Sequence, residues 1–326
     1  MRCALFLMLH LVALLRKHWY GSGNRMPVGG NTAISIFQVS MGERIWRLSC
    51  VLWKHGKRRA TFPAMAAALV FAISTPIHAD EIPSSLRSIN AAATAQPDLL
   101  KELRERGIHY GLPVLIRIFK KERALEVWIQ VSEKFKLFKT YFVCDCSKEP
   151  GPKERKGDRR SPEGFYLVTP AQMNPNSRFH LSFDIGYPND FDLAQGRTGG
   201  EIMIHGSCFS KGCFAMTDKQ MEKIYTLADA AFRNGQPCFQ VHIFPFRMTK
   251  ENMDQNKKSK WYPFWSNLKE GYGFFERERH PPHIIIQDNR YLFYHRDDSP
   301  HTEKTDNTSG PNYLHSCDTI RDISTF

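Results

Sequence analysis

No apolar run in the 326-residue chain reaches the roughly 20 residues a helix needs to cross a bilayer. The two longest stretches, Leu5–Leu15 and Phe62–Ile77, both fall short of it. No internal repeat is visible, which excludes solenoids and propellers. Acidic residues are scarce beside basic ones: 33 Asp and Glu stand against 45 Lys and Arg, a formal charge of +12. Such a surface suits an anionic partner, whether nucleic acid, an anionic membrane or a polymer such as cell wall. The chain carries no nucleic-acid-binding motif, so no nucleic acid partner is expected. A plain solvated basic surface explains the same count. A second Cys/His cluster is also lacking. Structural zinc usually takes four ligands in two pairs, so neither a metal nor another cofactor is expected.

What the chain does have is one dense stretch, Glu201–Asp218, EIMIHGSCFSKGCFAMTD. Within it, His205 to Cys213 holds one histidine, two cysteines, two serines and two glycines. The apolar Ile202-Met203-Ile204 ahead of it reads as a short strand. Thr217, with Gln220 after it, reads as a capping box that opens a helix. His205 is thereby expected at a strand end and Cys213 just before a helix start. A thiol there would feel the positive end of the helix dipole, which favours thiolate. A neutral imidazole nearby can take the thiol proton. Ser210 and Gly212 are small, so the backbone can approach a substrate, and the amides of Gly212 and Cys213 are the candidate oxyanion donors. The plainer readings of the same stretch are a zinc site, a tight structural loop, or a Cys208–Cys213 disulfide in an oxidising compartment.

The first 79 residues read as a leader. Lys54, Lys57, Arg58 and Arg59 form a basic flank, Phe62–Ile77 an apolar core, and Ile77-His78-Ala79 a cleavage site before Asp80. On this reading 41–79 is a signal peptide beginning at Met41, with 1–40 an over-annotated start. The alternative is an uncleaved anchor, although its apolar core is short for one. Of eight cysteines, Cys144, Cys146, Cys208, Cys213, Cys238 and Cys317 follow the leader. An even number after export invites disulfides. Cys144 and Cys146, with only Asp145 between them, are too close to bridge each other without strain, and no pairing can be assigned.

From Asp80 onward, Pro97 is expected to open a short amphipathic helix that ends near Gly107. Val114–Phe119, Ala124–Val131 and Phe135–Val143 read as a three-strand meander. A Gly-, Pro- and charge-rich loop, 148–162, follows; its lysines and arginines can meet carboxylates or form a solvated face. Strands are expected at Gly164–Thr169, Arg178–Ile185 and Phe239–Phe244, with a helix from Asp218 to Arg233 capped at Asn234-Gly235. His242 reads as a packed core residue. The aromatic segment Trp261–Phe275 can serve as a stacking surface, but core packing is the preferred reading. Ile284–Gln287 and Arg290–Tyr294 read as a hairpin around Asp288-Asn289. A polar, disordered tail is expected over 295–326.

Ser210-Lys211-Gly212-Cys213 resembles the S-H-G-C signature of the L,D-transpeptidase (YkuD-type) catalytic domain, with Lys in place of His. His205-Gly206 resembles that family's upstream HG. The chain is more closely similar to the YafK-like murein L,D-transpeptidase subfamily over about Ile82–Phe293. The matching segments include Gly111-Leu112-Pro113, Arg117–Lys120, Phe138–Tyr141, Pro162–Tyr166, Met173–Phe183 and Val241–Phe246. Two departures stand out. The His-to-Cys spacing is about half the family's usual one, and Ala215 stands where Arg is common.

The resemblance implies one catalytic domain over 80–294. Its expected fold is mostly β, an L,D-transpeptidase-type β-sandwich or barrel with added helices. It implies acyl transfer on peptidoglycan stem peptides at diaminopimelate, with Cys213 as nucleophile and His205 as general base and then acid. Gly212 and Ser210 would shape the oxyanion loop, and Arg178, Tyr187 and Lys211 are candidate substrate contacts. It further implies a periplasmic enzyme of the cell envelope, without a stable membrane span in its mature form. Subfamily members are also linked to hydrolysis that releases a wall-linked lipoprotein from diaminopimelate. The competing class is a non-catalytic wall-binding module. A reduced Cys213 favours the enzyme, and a Cys208–Cys213 disulfide favours the binder.

Overall fold

The computed structural model describes residues 82–147, 149–295, Asp298 and 312–313. The leader read at 1–79, with its signal-peptide segment, and most of the 295–326 tail lie outside the described residues.

The first described element is α1, Leu86–Arg104. It begins well before Pro97, because Ser85 and Ser88 form a reciprocal cap at its start. Pro97 therefore sits inside the helix rather than at its first turn. The carbonyl it leaves without a partner belongs to exposed Ala93, where water can bond it. Ala91, Ala95, Leu99 and Leu103 recur at helical spacing and are buried.

The meander forms as expected from β1 (Val114–Phe119), β2 (Ala124–Val131) and β3 (Lys134–Phe142), each antiparallel to the next. With β4 (Gly164–Val168) and β9 (Phe239–Phe244) it makes a five-stranded sheet in the order β3-β2-β1-β9-β4. The β1–β9 pair is parallel, Ile116 opposite Val241 and Ile118 opposite Ile243. All six residues of β1 are buried, as a central strand covered on both faces requires. Ile116 and Ile118 join a cluster with α1 and with Ile224, Leu227 and Ala228 of α3 (Asp218–Arg233). Phe119 points the other way, into a cluster with Phe165, Phe244, Trp265 and Tyr291.

To that second cluster α5 (Tyr262–Glu278) adds Trp265 and Leu268, and β10 (His283–Gln287) with β11 (Arg290–Tyr294) adds Ile284, Ile286 and Tyr291. The aromatic segment is thus core packing: Trp265 and Phe275 are buried, and Phe264 stacks on Phe191. His242 is likewise core, edge-on to Phe165 and Phe244. The hairpin turns at Asp288 and Asn289, both in the left-handed region. Within the segment read as a tail, Asn312–Tyr313 (β12) pairs with β10.

A four-stranded sheet carries the site, in the order β5 (Met173–Asn174), β6 (Ser182–Asp184), β7 (Met203–His205) and β8 (Phe214–Ala215). The strand expected over 178–185 is cut to β6. Residues before it turn instead: His180 has a left-handed backbone, and Arg87 of α1 takes the carbonyls of Ser177 and His180. Two short helices, α2 (Asp190–Ala194) and α4 (Lys250–Gln255), and a 3-10 turn at Pro170–Gln172 complete the described elements. Mostly β is therefore only part of the architecture, since helices of 19, 16 and 17 residues cover the sheets. Among the described residues the sheets stay open, and none closes into a barrel.

Candidate active site

β7 ends at His205, and Cys213 lies immediately ahead of β8. The two strands pair in parallel, Ile204 opposite Phe214 and His205 opposite Ala215. Met216 N–H also bonds the His205 carbonyl at 2.7 Å. This pairing folds the intervening loop back on itself, so both functional side chains reach one cavity. The cavity has a volume of about 740 Å³ and is lined by Lys153, Lys156, Gly157, Phe179, Thr198, Gly199, Gly200, Glu201, Ile202, His205, Phe209, Ser210, Lys211 and Cys213.

The imidazole is buried, and its tautomer follows from one bond. Nδ1 faces the Gly206 carbonyl, which can only accept, so Nδ1 carries the proton and Nε2 keeps a lone pair. Burial holds His205 below its ordinary range, against the opposing pull of the Gly206 carbonyl and the Asp145 carboxylate. At neutral pH it is therefore an uncharged base. Phe179 lies over its ring, with centroids 4.7 Å apart. Gly206 is required beside it: a Cβ there would sit 2.6 Å from Asp218 Oδ1 and 2.9 Å from the Phe179 carbonyl.

The Cys213 thiol donates to the Glu201 carbonyl at 3.7 Å and accepts from Met203 N–H at 3.4 Å. Burial pushes it up; the Met203 amide and Lys153 pull it down, while Asp184 and Glu201 add to the rise. The expected thiolate at a helix start is not what forms. β8 separates Cys213 from the Thr217 cap of α3, and the Asp218 carboxylate occupies the first turn of that helix. The resting pair is a neutral thiol and a neutral imidazole.

Cys208 is not a second candidate. It is disulfide-bonded to Cys144, with Cα atoms 5.2 Å apart, while Cys213 remains a free thiol. Cys238 is disulfide-bonded as well. Among the described residues, no group of three or more His, Cys, Asp and Glu is placed to hold a metal ion.

Of the other residues singled out from the sequence, Ser210 and Lys211 line the cavity, and Lys211 lies over Phe209. Gly212 N–H is given to Ser210 Oγ at 3.1 Å, so this expected oxyanion donor is engaged within its own loop. Arg178 is exposed and does not line the cavity; its neighbour Phe179 does. Tyr187 is buried behind the wall, its hydroxyl near the carbonyls of Lys153 and Thr198 at 3.3 and 3.4 Å. It does not line the cavity.

The wall residue that sequence reasoning undervalued is Lys153. It is buried and paired with Asp158 at 2.7 Å. Burial raises Asp158, but Lys153 and the amides of Arg160, Arg155 and Glu154 hold it down to about 2. Behind the wall, fully buried Lys120 bonds the carbonyls of Gly151 and Ser161 and the Glu163 carboxylate. Glu163 in turn accepts from Gly151 N–H and Trp265 Nε1–H. Lys120 and Glu163 both sit in segments quoted above, but a buried pair joining them is not readable from a charge run.

With this geometry established, residues 114–243 match the L,D-transpeptidase catalytic domain family, YkuD. Over 182 residues the chain is 44% identical to the protein named "Putative L,D-transpeptidase YafK" of Escherichia coli (strain K12), covering 56% of this chain and 74% of that one. The same figures hold for its counterpart in Escherichia coli O157:H7. Among solved structures, the helical cell shape determining protein Pgp2 from Campylobacter jejuni is similar at 21% identity, over 54% of this chain and 73% of that one, with a TM-score of 0.33. A likeness that loose carries no argument.

Proposed function

The chain belongs to the L,D-transpeptidase (YkuD) catalytic-domain family, and from that premise we propose that it transfers acyl groups on peptidoglycan stem peptides through Cys213. L,D-transpeptidase-like chemistry on the cell wall follows from membership. The nucleophile, the base and the bond attacked are the reading offered here.

Cys213 Sγ attacks the carbonyl of diaminopimelate in an L,D bond, and His205 Nε2 takes the thiol proton. A C–S bond forms as the C–N bond breaks. The imidazolium returns the proton to the leaving amine, so charge is balanced when the thioester stands. An incoming amine then displaces sulfur to form a cross-link, with His205 again taking and returning a proton. Water in the amine's place gives hydrolysis. A neutral thiol and a neutral base lining the same cavity suit this sequence, because the proton moves only as the C–S bond forms. The Lys156 and Lys211 ammonium groups at the cavity suit a carboxylate-bearing stem.

One observation carries the reading over that of a binding module: Cys208 is tied to Cys144, leaving Cys213 reduced in the cavity it shares with His205. A location in the cell envelope accords with the family, and periplasmic export is proposed. Among the described residues no helix is long and apolar enough to cross a membrane.

The test is incubation of purified protein with defined muropeptides, with and without bound lipoprotein, read by mass spectrometry. Cross-linked products indicate transpeptidation, and shortened or released products indicate hydrolysis. Unchanged substrates with no thioester at Cys213 would overturn the proposal.

A further inference from the structure

Both sides of Cys213 are fastened to one short segment, Cys144-Asp145, that follows β3 in the chain. On the upstream side, Asp145 Oδ2 accepts from Ser210 N–H at 2.9 Å. Ser210 Oγ then accepts from Gly212 N–H at 3.1 Å and donates to the Cys213 carbonyl at 2.8 Å. On the downstream side, Ala215 N–H donates to the Asp145 carbonyl at 2.8 Å, while Cys144 N–H and Asp145 N–H return bonds to the Ala215 carbonyl. The Cys144–Cys208 disulfide adds a covalent tie to the loop that begins after His205. The segment is held in its own right, since Val143 N–H bonds the Arg123 carbonyl and Arg123 Nε returns a bond to the Val143 carbonyl.

The consequence is geometric. Gly212 has a φ of 130°, open to glycine without strain, and a Cβ there would lie 3.0 Å from the Arg160 carbonyl, so the loop's own backbone leaves its conformation to be fixed by the bonds around it. Without the Asp145 carboxylate, Ser210 N–H loses its acceptor, and the Ser210 hydroxyl that fixes the Cys213 carbonyl loses its anchor. Without the disulfide, Cys208 and the exposed Phe209 beside it lose their covalent tie to the segment after β3.

We propose that Asp145 is a positioning residue for Cys213, and that the Cys144–Cys208 disulfide is the covalent half of the same clamp. Asp145 does not line the cavity; its carboxylate holds Ser210 and its backbone holds Ala215, one on either side of the nucleophile. The role in turnover rests on the acyl-transfer reading above, whereas the role in holding the thiol in place does not.

The experiment compares wild type, Asp145→Ala, Asp145→Asn and Cys144→Ser/Cys208→Ser, each confirmed folded by circular dichroism. Two rates are read for each. One is single-turnover acylation by a muropeptide, split into kcat and KM. The other is alkylation of Cys213 by iodoacetamide, located by peptide mapping. A displacement of about 1 Å can cost on the order of 100-fold in a positioned reaction. Asp145→Ala should therefore lose about 10- to 100-fold in kcat with KM within about threefold. Asp145→Asn, whose amide oxygen still accepts from Ser210, should recover most of that loss. The double serine variant should lose kcat in the same direction. In both clamp-breaking variants the half-buried thiol should alkylate faster.

If wild type does not acylate at all, the functional reading fails, and the alkylation rates still decide the clamp. The clamp is overturned if Cys213 alkylates equally fast in all four proteins. It is also overturned if Cys213 alkylates as fast in Asp145→Asn as in Asp145→Ala, since the Asp145 charge that both variants lose acts on His205 and not on the thiol.

Discussion

Replacing Lys120 by Met removes the charge at the centre of the network behind the cavity wall while keeping most of the side chain's volume. Lys120 and Glu163 are both fully buried, with Nζ 2.8 Å from Oε1. The substitution deletes three bonds at once, to Gly151 O at 2.7 Å, Ser161 O at 3.0 Å and Glu163 Oε1 at 2.8 Å. Each buried carbonyl left without a donor costs about 1–3 kcal/mol. Breaking a buried ion pair from one side costs about 3–5 kcal/mol, because the remaining charge stays in the interior unpaired. Glu163 keeps two donors, Gly151 N–H and Trp265 Nε1–H, so the lower part of that range is expected. For a domain of this size about 2–4 °C of Tm accompanies each kcal/mol, so Tm should fall by at least about 6 °C. Urea unfolding followed by tryptophan fluorescence measures the free energy directly. Lys250→Met is the control, since its pair with Asp254 is exposed and its loss should leave Tm in place. Because the network pins the segment that carries Lys153, KM for a muropeptide should also rise. A cost below about 1 kcal/mol would refute the claim that this pair anchors the wall.

Four other outcomes follow from the site. His205→Ala should slow thioester formation by on the order of 10²–10⁴ with the fold intact, measured by single-turnover mass spectrometry. The wild-type acylation rate at limiting substrate should stay level as pH falls from neutral through about 6.5, and decline only below it, because burial depresses His205 and the neutral imidazole is the active form; a decline centred above that value would contradict the assignment. The same depression makes His205 contribute stability that is present above its unfolded pKa and lost as pH falls through the folded one. Gly206→Ala should cost about 1–3 kcal/mol in urea unfolding, since the Phe179 carbonyl its Cβ would strike is backbone and cannot rotate away.

Local signals were legible in the sequence, and long-range ones were not. The α3 helix runs from Asp218 to Arg233 as its periodicity and Thr217 cap imply, because both are written within a few residues. The β10–β11 hairpin follows from Asp288-Asn289, which take the positive φ that a tight turn needs. The cavity that joins His205 and Cys213 was foreshadowed by one strand pattern and one small-residue loop. The parallel pairing of β1 with β9 was not legible, since it joins segments separated by more than half of the domain. The Cys144–Cys208 bond closes 64 residues of chain and has no local mark. Pro97 misled because a start signal at Ser85 outweighs a proline whose orphaned carbonyl faces water. The helix-dipole argument for Cys213 failed because β8 intervenes, and desolvation dominates at a half-buried thiol. Lys153 looked like part of a solvated run because burial of a charge depends on what folds over it.

The most direct test of the central claim, that Cys213 is the nucleophile, is the intact mass of three proteins after exposure to a carbapenem, an inhibitor class expected from the resemblance. Wild type and Cys144→Ser/Cys208→Ser should each gain one drug adduct, the second more slowly, and Cys213→Ala should gain none. An adduct that persists in Cys213→Ala, with its mapped site on another sulfur, would contradict the account.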